Sequence, residues 1–292
     1  MHTLLDYDCV SLENHSISLL VTQSVGPRIL SLRFNGGENI FAELPDFITE
    51  RPDGERFYFH GGHRLWHAPE NMPRTYAPDN HPVEIAQLEN ELSVTQPVEA
   101  ETGIEKSIRI SLVKDRPQVI VHHTLTNRSL WSIECAPWAI TQLRTGGVAI
   151  LPQSQQPHDV LPNRSLSLWA YTDIANPNVT WGNRFILVRS GMDDAFKVGF
   201  PNPRGWLAYW IDGTLFVKHA AFDPRAAYYD FGSSSECYCN GKFLELETLA
   251  PICKLEPGAS ITHTETWELH ANVEFPADEN AAQRIADLLG LE

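Results

Sequence analysis

Short runs of alternating or continuous hydrophobic residues recur along almost the whole chain, and this pattern predicts β-strands. Clusters of Gly, Pro, Asn and Asp separate these runs, such as FNGGEN, DRPQ, LPNRS and NPRG, and they are typical of turns. Many short strands joined by turns indicate an all-β protein. The predicted strands cover residues 16–23, 28–34, 108–113, 118–126, 131–143, 185–188, 214–218 and 243–248.

The C-terminal segment departs from this pattern and predicts a helix over residues 278–289. Asp278 can cap its N-terminus, and Ala281, Ile285 and Leu288 recur at helical spacing. No repeat of fixed period and no low-complexity linker divides the chain. We therefore expect one large antiparallel β domain over residues 1–292, with a short C-terminal helix.

A second departure lies between residues 48 and 80, where Pro, Gly, His and aromatic residues are frequent and alternation is weak. We expect a long irregular stretch there. Such a stretch inside a compact β protein is usually functional. This segment also holds the densest set of chemically capable side chains in the sequence, so it is the first place to look for a site.

The net charge of the chain argues against two classes of function. The 292 residues carry a formal net charge of −15. Nucleic-acid binding needs a clustered basic surface, so this balance argues against it, and it argues more weakly against an anionic membrane surface. Hydrophobic residues make up 42% of the chain and charged residues 20%, which is enough for a packed core without a signature of disorder.

Targeting and redox signals indicate a cytoplasmic protein. The N-terminal segment MHTLLDYDCVSLENHS lacks the basic and apolar regions of a signal peptide. No apolar run is long enough for a transmembrane helix. The five cysteines are scattered and form no zinc-binding pattern, which is typical of reduced thiols.

The segment FHGGHRLWHAPE offers the first constellation. His63, His67 and Glu70 would share one face of a helix and could then bind a metal, but the preceding glycine pair and Pro69 make that helix doubtful. We therefore expect no metal. A glycine turn that lets the backbone approach a ligand, followed by His, Arg and Trp, fits a polar small-molecule pocket better. A loop held by its own hydrogen bonds and a buried Trp remains an alternative.

The segment GKFLELETLAP offers the second constellation of candidate functional residues. In a strand, Phe243, Glu245 and Glu247 point to one face, and the two carboxylates stand roughly 6.5–7 Å apart. On a solvent face this is an ordinary amphipathic strand. In a cleft, one carboxylate can act as a base while the other orients it or contacts a ligand.

Several further residues can shape a sugar site. The eight tryptophans are numerous, and aromatic platforms beside carboxylates suit pyranose rings. Trp138 and Asp173 belong to this set, although most tryptophans of a β protein are core residues. Lys218 could contact substrate hydroxyls or form an ion pair.

Taken together, a series of motifs resembles the galactose mutarotase-like superfamily over residues 26–269, and in particular a branch distantly related to aldose 1-epimerases. These motifs are GPRILSL, NIFAELPD, GGHRLWHAPE, TGIEKSI, HTLTN, APWAITQL, LFVKHA, FLELETLAP and THTETWEL. The resemblance implies a β supersandwich, in which two large antiparallel sheets pack face to face and one of them binds a sugar.

The resemblance also implies roles for individual residues. The epimerases use a glutamate of a Leu-Glu-Thr strand as the base for the anomeric hydroxyl, and Glu247 matches it. A histidine protonates the ring oxygen, and His63 is the counterpart near a glycine pair. A second family histidine aligns with Trp138, which departs from the pattern. The expected substrate-binding residues are Arg64, Trp66, Trp138, Asp173, Lys218 and Glu245.

The leading hypothesis is an aldose 1-epimerase-like isomerase that interconverts the anomers of a monosaccharide or modified sugar by Glu/His acid–base ring opening. It needs no cofactor, and its ligand is a small carbohydrate. Two alternatives stay open. The substitution of a histidine by Trp138 favours a non-catalytic sugar-binding or sensing protein, and the Glu pair allows a lyase or glycoside hydrolase.

Overall fold

The computed structural model describes residues 2–157 and 160–291. Three helical segments are present in this part of the chain: α1 (Met72–Thr75), α2 (Tyr229–Gly232) and α3 (Glu279–Leu289). The strands, in chain order, are β1 (His2–Leu4), β2 (Tyr7–Glu13), β3 (Ile17–Thr22), β4 (Arg28–Phe34), β5 (Glu43–Glu50), β6 (Arg56–Gly61), β7 (His63–Ala68), β8 (Glu84–Leu88), β9 (Glu91–Thr95), β10 (Ile104–Leu112), β11 (Gln118–Asn127), β12 (Ile133–Arg144), β13 (Val148–Pro152), β14 (Ser167–Leu168), β15 (Val179–Trp181), β16 (Phe185–Arg189), β17 (Phe196–Phe200), β18 (Trp206–Ile211), β19 (Thr214–Ala220), β20 (Ser235–Cys239), β21 (Phe243–Leu249), β22 (Cys253–Leu255) and β23 (Ser260–His270).

These strands form two large antiparallel sheets. Sheet I has 11 strands in the order β1-β2-β3-β4-β7-β12-β21-β20-β17-β14, with β22 paired to β12. Sheet II has 10 strands in the order β15-β16-β13-β18-β19-β23-β11-β10-β9-β8. The predicted all-β sandwich is confirmed, and each predicted strand coincides with an observed strand to within a few residues.

The main core lies between the two sheets. Side chains from the inner faces, such as Leu32 and Leu244 of sheet I and Val121 and Trp267 of sheet II, form one fully buried cluster. Strand alternation produces this layer, because every second side chain of a strand points to the same face.

The C-terminal helix covers the outer face of sheet II. Ala282 and Ile285 of α3 pack against strand residues such as Leu187 and Val217 in a second apolar cluster. Asp278 caps the helix by accepting hydrogen bonds from the backbone N–H groups of residues 280 and 281. The predicted terminal helix is therefore confirmed. In the described ranges, no helix is long and apolar enough to cross a membrane.

The outer face of sheet I is covered differently. A separate two-stranded hairpin, β5–β6, lies over it. Phe57 of this hairpin packs in a third cluster with Trp66, Trp138 and Leu249 of sheet I. This face is thus partly apolar, and it carries the cavity described below.

The expectation of a long irregular stretch between residues 48 and 80 is wrong. Strands β6 and β7 occupy its central part, residues 56–61 and 63–68. All six side chains of β7 are buried, including His63, Arg64 and His67. Because polar residues occupy both buried faces, the usual alternation of apolar and polar positions is lost, and the strand is hard to see in the sequence.

The glycine pair 61–62 serves backbone packing. Gly61 and Gly62 have φ angles of +100° and +72°. A Cβ atom would lie 2.0 Å from the carbonyl oxygen of Ala42 at the first position and 2.2 Å from that of Ile29 at the second. These glycines therefore let the β6–β7 connection approach its neighbours, where the sequence suggested an approach to a ligand.

Candidate functional site

A cavity of about 370 Å³ opens on the outer face of sheet I beside the β5–β6 hairpin. Such a volume is within the range of small-molecule sites. Its walls combine aromatic rings with a few charged groups. The lining residues are Phe47, Ile48, Thr49, Phe59, Arg64, Trp66, Glu70, Tyr76, Trp138, Ile140, Trp169, Tyr171, Ala195, Lys197, Tyr238, Phe243 and Glu245.

Strand register brings the central side chains together. Trp138 of β12 lies opposite Trp66 of β7. On the other side of β12, Gln142 lies opposite Glu245 of β21. Since paired residues point to the same face of a sheet, Arg64, Trp66, Trp138 and Glu245 all face this cavity. Four of the six predicted substrate-binding residues are thus brought to one place.

Glu245 is the buried carboxyl that lines the cavity. Its Oε1 accepts a hydrogen bond of 2.9 Å from Gln142 Nε2 and lies 3.7 Å from Arg64 Nη2. Burial raises the pKa of Glu245 to about 7, and the nearby charge of Glu247 adds to the rise, while Arg64 opposes it. A carboxyl of this pKa exchanges protons readily at neutral pH.

Glu247 lies on the same face as Glu245 but behind the cavity wall. Its Oε2 accepts hydrogen bonds from Trp138 Nε1 at 2.7 Å and from Lys197 Nζ at 3.0 Å. The residue is fully buried, and Oε1 has no hydrogen-bond partner among the described residues. The two glutamates therefore do not face each other across the cavity, and Trp138 separates Glu247 from it.

A third carboxyl lies behind the cavity wall, and the ammonium of the lining residue Lys197 pairs with it. Glu236 lies directly opposite Glu247 in the β20–β21 pair, and Lys197 Nζ lies 2.8 Å from its Oε2. Burial raises the pKa of Glu236 well above its usual value. Burial alone would lower the pKa of Lys197, but the two glutamates raise it well above the usual range. One positive charge thus serves two carboxyls, and the second carboxyl keeps its proton.

Aromatic rings hold both cations. Lys197 Nζ lies 4.7 Å from the ring centroids of Trp138 and of Trp169. Arg64 Cζ lies 4.0 Å from the ring centroid of Trp66 and 5.0 Å from that of Phe59. Such cation–π contacts compensate in part for the loss of hydration in a buried site.

Three residues predicted for the site lie elsewhere. His63 points to the inner face of sheet I, where it contacts Thr141 and His123. Lys218 is buried in the same interior and pairs with Glu265 at 2.9 Å. Asp173 is exposed in the loop before β15, and its carboxylate accepts a hydrogen bond from a backbone N–H two residues on. The position of His63 therefore gives no support for a role as acid in this cavity.

Sequence reasoning missed Lys197 and Glu236. Both are polar residues inside short apolar strands, FKVGF and SECYC. Buried charged residues are rare unless paired, so a charge in such a run signals a partner across the sheet. The sequence, however, does not show which strands are neighbours, so the pairing with Glu247 could not be inferred.

Solved structures of similar fold support this description. A galactose mutarotase-like protein from Lactobacillus casei aligns with a TM-score of 0.60 at 13% identity, covering 90% of this chain and 100% of its own. A provisionally assigned aldose 1-epimerase from Klebsiella pneumoniae gives 0.61 at 12% identity, covering 99% and 85%. A second such protein, from Escherichia coli, gives 0.56 at 12% identity, covering 90% and 99%.

The chain has the galactose mutarotase-like fold, and the resemblance drawn from its sequence motifs is confirmed at that level. At these identities the similarity concerns the fold. No protein-family model matches the sequence, and no curated protein matches it.

Proposed function

We propose that this protein interconverts the anomers of a monosaccharide, with Glu245 as the acid–base group. The observation that carries the proposal is a carboxyl with a pKa of about 7 in an aromatic cavity. The structural neighbours described as aldose 1-epimerases or mutarotases support a carbohydrate ligand for this fold.

The chemistry needs a group that both accepts and gives a proton. Ring opening removes a proton from the anomeric hydroxyl, adds one to the ring oxygen and breaks the bond between that oxygen and C1. Ring closure reverses these steps. Glu245 is half ionised near neutral pH, so its ionised carboxyl can take the proton from the anomeric hydroxyl and pass that proton to the ring oxygen as the bond to C1 breaks, and ring closure returns the proton by the same route. Burial raises the pKa of the Tyr171 phenol, which keeps its proton and can donate a hydrogen bond to the ring oxygen.

In this proposal Glu247 acts through Glu245. It is separated from the cavity by Trp138, but its charge raises the pKa of Glu245. Glu247 is then a positioning residue that tunes the acid–base group, whereas the family resemblance makes it the base itself. The two assignments predict different results for the same substitution.

The charge of the cavity favours a neutral sugar over a phosphorylated or carboxylated one. The two cations that line the cavity are already engaged, Arg64 with Glu245 and Lys197 with Glu236 and Glu247. Glu70 adds a further carboxyl to the lining. An anionic ligand would meet these carboxyls while both lining cations already pair with carboxylates of the protein, which costs binding energy.

The test is NMR exchange spectroscopy of anomer interconversion on neutral aldoses, uronates and hexose 6-phosphates. We expect wild type to accelerate exchange of a neutral aldose and Glu245→Gln to abolish the acceleration. Glu247→Gln should retain it, with the pH dependence displaced to lower pH because one negative charge is lost. Glu89→Gln, at an exposed turn, is the matched control and should behave as wild type.

Two results would contradict the assignment. Full activity of Glu245→Gln would remove Glu245 from the mechanism. If a folded Glu247→Gln variant no longer accelerates anomer exchange, and Glu245→Gln accelerates it with the same pH dependence as wild type, Glu247 is the base instead.

A second function is favoured by the burial of Glu247. Its carboxylate is held by Trp138 and Lys197, and Glu247 itself does not line the cavity. This arrangement suits a non-catalytic sugar-binding protein that keeps the aromatic platform. Saturable broadening of one sugar's resonances, with no exchange in any variant, would support this function instead.

A further inference from the structure

A polar cluster lies in the interior between the two sheets, on the face of sheet I opposite to the cavity. His63 comes from β7 of sheet I, whereas His123 of β11 and Glu265 of β23 come from sheet II. All three are completely buried, and their potential metal-ligating atoms lie within 4.8 Å of one another. The cluster therefore connects the two halves of the sandwich.

The hydrogen bonds of the two histidines direct both Nε2 atoms to the same point. His123 Nδ1 lies 3.0 Å from the carbonyl oxygen of His263, which can only accept, so this nitrogen carries the proton and Nε2 has a free lone pair. His63 Nδ1 lies 2.8 Å from the hydroxyl of Thr141. The two Nε2 atoms are 2.6 Å apart. Either the proton of His63 Nε2 or a cation must lie between them.

The surroundings match those of a metal site. Histidine ligands usually donate their other N–H to a carbonyl or hydroxyl, and ligating carboxylates are themselves hydrogen-bonded. Glu265 accepts hydrogen bonds from Trp267 Nε1 at 2.8 Å and from Thr248 Oγ1, and its Oε1 lies 2.9 Å from Lys218 Nζ. These contacts fix the carboxylate with a potential ligand oxygen within 4.8 Å of both imidazoles.

We propose that His63, His123 and Glu265 bind a first-row divalent cation, with Zn²⁺ as the ion that two imidazoles and a carboxylate suit, and that this ion joins the two sheets. Binding moves the proton of His63 from Nε2 to Nδ1, where Thr141 accepts its hydrogen bond, so no proton leaves the site. Two tetrahedral zinc ligands at the usual Zn–N distance lie about 3.3 Å apart, so the rings must separate by about 0.7 Å. This proposal is independent of the proposed function, and it replaces the expectation that the chain binds no metal.

The experiment uses the untagged full chain expressed with added Zn²⁺ and dialysed against a metal-chelating resin. Zinc content is then measured by mass spectrometry, and Co²⁺ is added to a second sample refolded without zinc. We expect about one Zn²⁺ per chain and visible Co²⁺ absorption bands of a low-coordinate site. EDTA present during refolding should lower the melting temperature.

Two neighbouring histidines provide matched variants. His123→Asn keeps a donor for the carbonyl of His263 but removes the ligating nitrogen, and we expect at least about 100-fold weaker Zn²⁺ binding. His122→Asn changes the next residue, which bonds the hydroxyl of Thr264 and is largely outside the core, and it should bind as wild type. If His123→Asn does not fold, Thr141→Val keeps all three ligands and should weaken binding about 10-fold or more.

The proposal is overturned if folded wild type holds no stoichiometric zinc and Co²⁺ adds no absorption bands, since the two imidazoles then share a proton. It is equally overturned if His123→Asn retains the full zinc content, which would show binding at surface histidines.

Discussion

Lys197 makes the sharpest prediction for stability, because one ammonium pairs with two buried carboxyls. Its Nζ lies 2.8 Å from Glu236 Oε2 and 3.0 Å from Glu247 Oε2, and all three side chains are almost completely buried. The substitution Lys197→Met keeps much of the side-chain volume but removes the charge. Two carboxyls then remain in the interior without a cation.

The expected loss of stability can be taken from other proteins in which one partner of a buried ion pair was removed. Removing one partner of a buried ion pair destabilises a protein by about 3–5 kcal/mol. For a chain of 292 residues the unfolding entropy is roughly 0.6 kcal/mol per kelvin, so the melting temperature should fall by roughly 5–8 °C.

The loss should depend on pH with a definite sign. A carboxyl whose pKa is higher in the folded than in the unfolded state binds its proton more tightly when folded, so its contribution to stability falls as pH rises between the two values. Burial already raises the pKa of Glu236 well above 4.5 although Lys197 opposes the rise, so removal of this cation raises that pKa further. The stability difference between wild type and Lys197→Met should therefore be smallest near pH 4.5 and grow towards pH 8.

Thermal unfolding followed by circular dichroism from pH 4.5 to 8 tests this reasoning. Lys254→Met, at an exposed lysine, is the control and should change stability little at any pH. The double variant Lys197→Met/Glu247→Gln removes the carboxylate that loses its cation and should recover about half of the loss. A loss below about 1 kcal/mol at pH 8, or one that does not vary with pH, would refute the charge balance described here.

Three further predictions concern single features. Gly62→Ala should lower the free energy of unfolding by more than about 2 kcal/mol in denaturant unfolding, because its Cβ would lie 2.2 Å from a backbone oxygen. Gly36→Ala is the control, because Gly36 has nearly the same φ but no neighbouring atom that a Cβ would meet. Equal losses of stability in the two variants would contradict the steric argument. Arg64→Met should raise the pKa of Glu245 above about 7, because the positive charge of Arg64 lowers this pKa. The measurement is ¹³C NMR of the Glu245 carboxyl carbon, and Arg116→Met, at an exposed arginine, is the control. An unchanged pKa would show that Arg64 does not influence the charge state of Glu245. Asp278→Ala should cost about 1 kcal/mol through loss of the α3 cap in the same unfolding assay, and a neutral result would show that the tail docks by packing alone.

The sandwich could be predicted because most of its strands follow simple local rules. Strands such as 28–34 and 243–248 show apolar runs bounded by turn residues, and the Asp278 cap precedes a helical pattern. Strand β7 escaped this reasoning, since both of its faces are buried and both carry polar residues. Alternation then no longer distinguishes a strand from a loop.

The site was only partly predictable, for a related reason. Alternation alone correctly groups Glu245 with Glu247 on one face of β21, yet it does not reveal that Trp138 separates Glu247 from the cavity. That contact depends on the β12–β21 register, which joins residues more than 100 positions apart in the chain. His63 shows the same limit, because one residue decides whether a side chain faces the cavity or the interior.

The two faces of β7 make the length of this strand as important as its composition. Arg64 and Trp66 face the cavity, whereas His63 and His67 face the inner side. A deletion or insertion of one residue would exchange the two sets, sending imidazoles to the cavity face and a guanidinium to the inner face. Variation in this strand is therefore restricted to substitutions, and length changes among homologues should be found in the flanking loops.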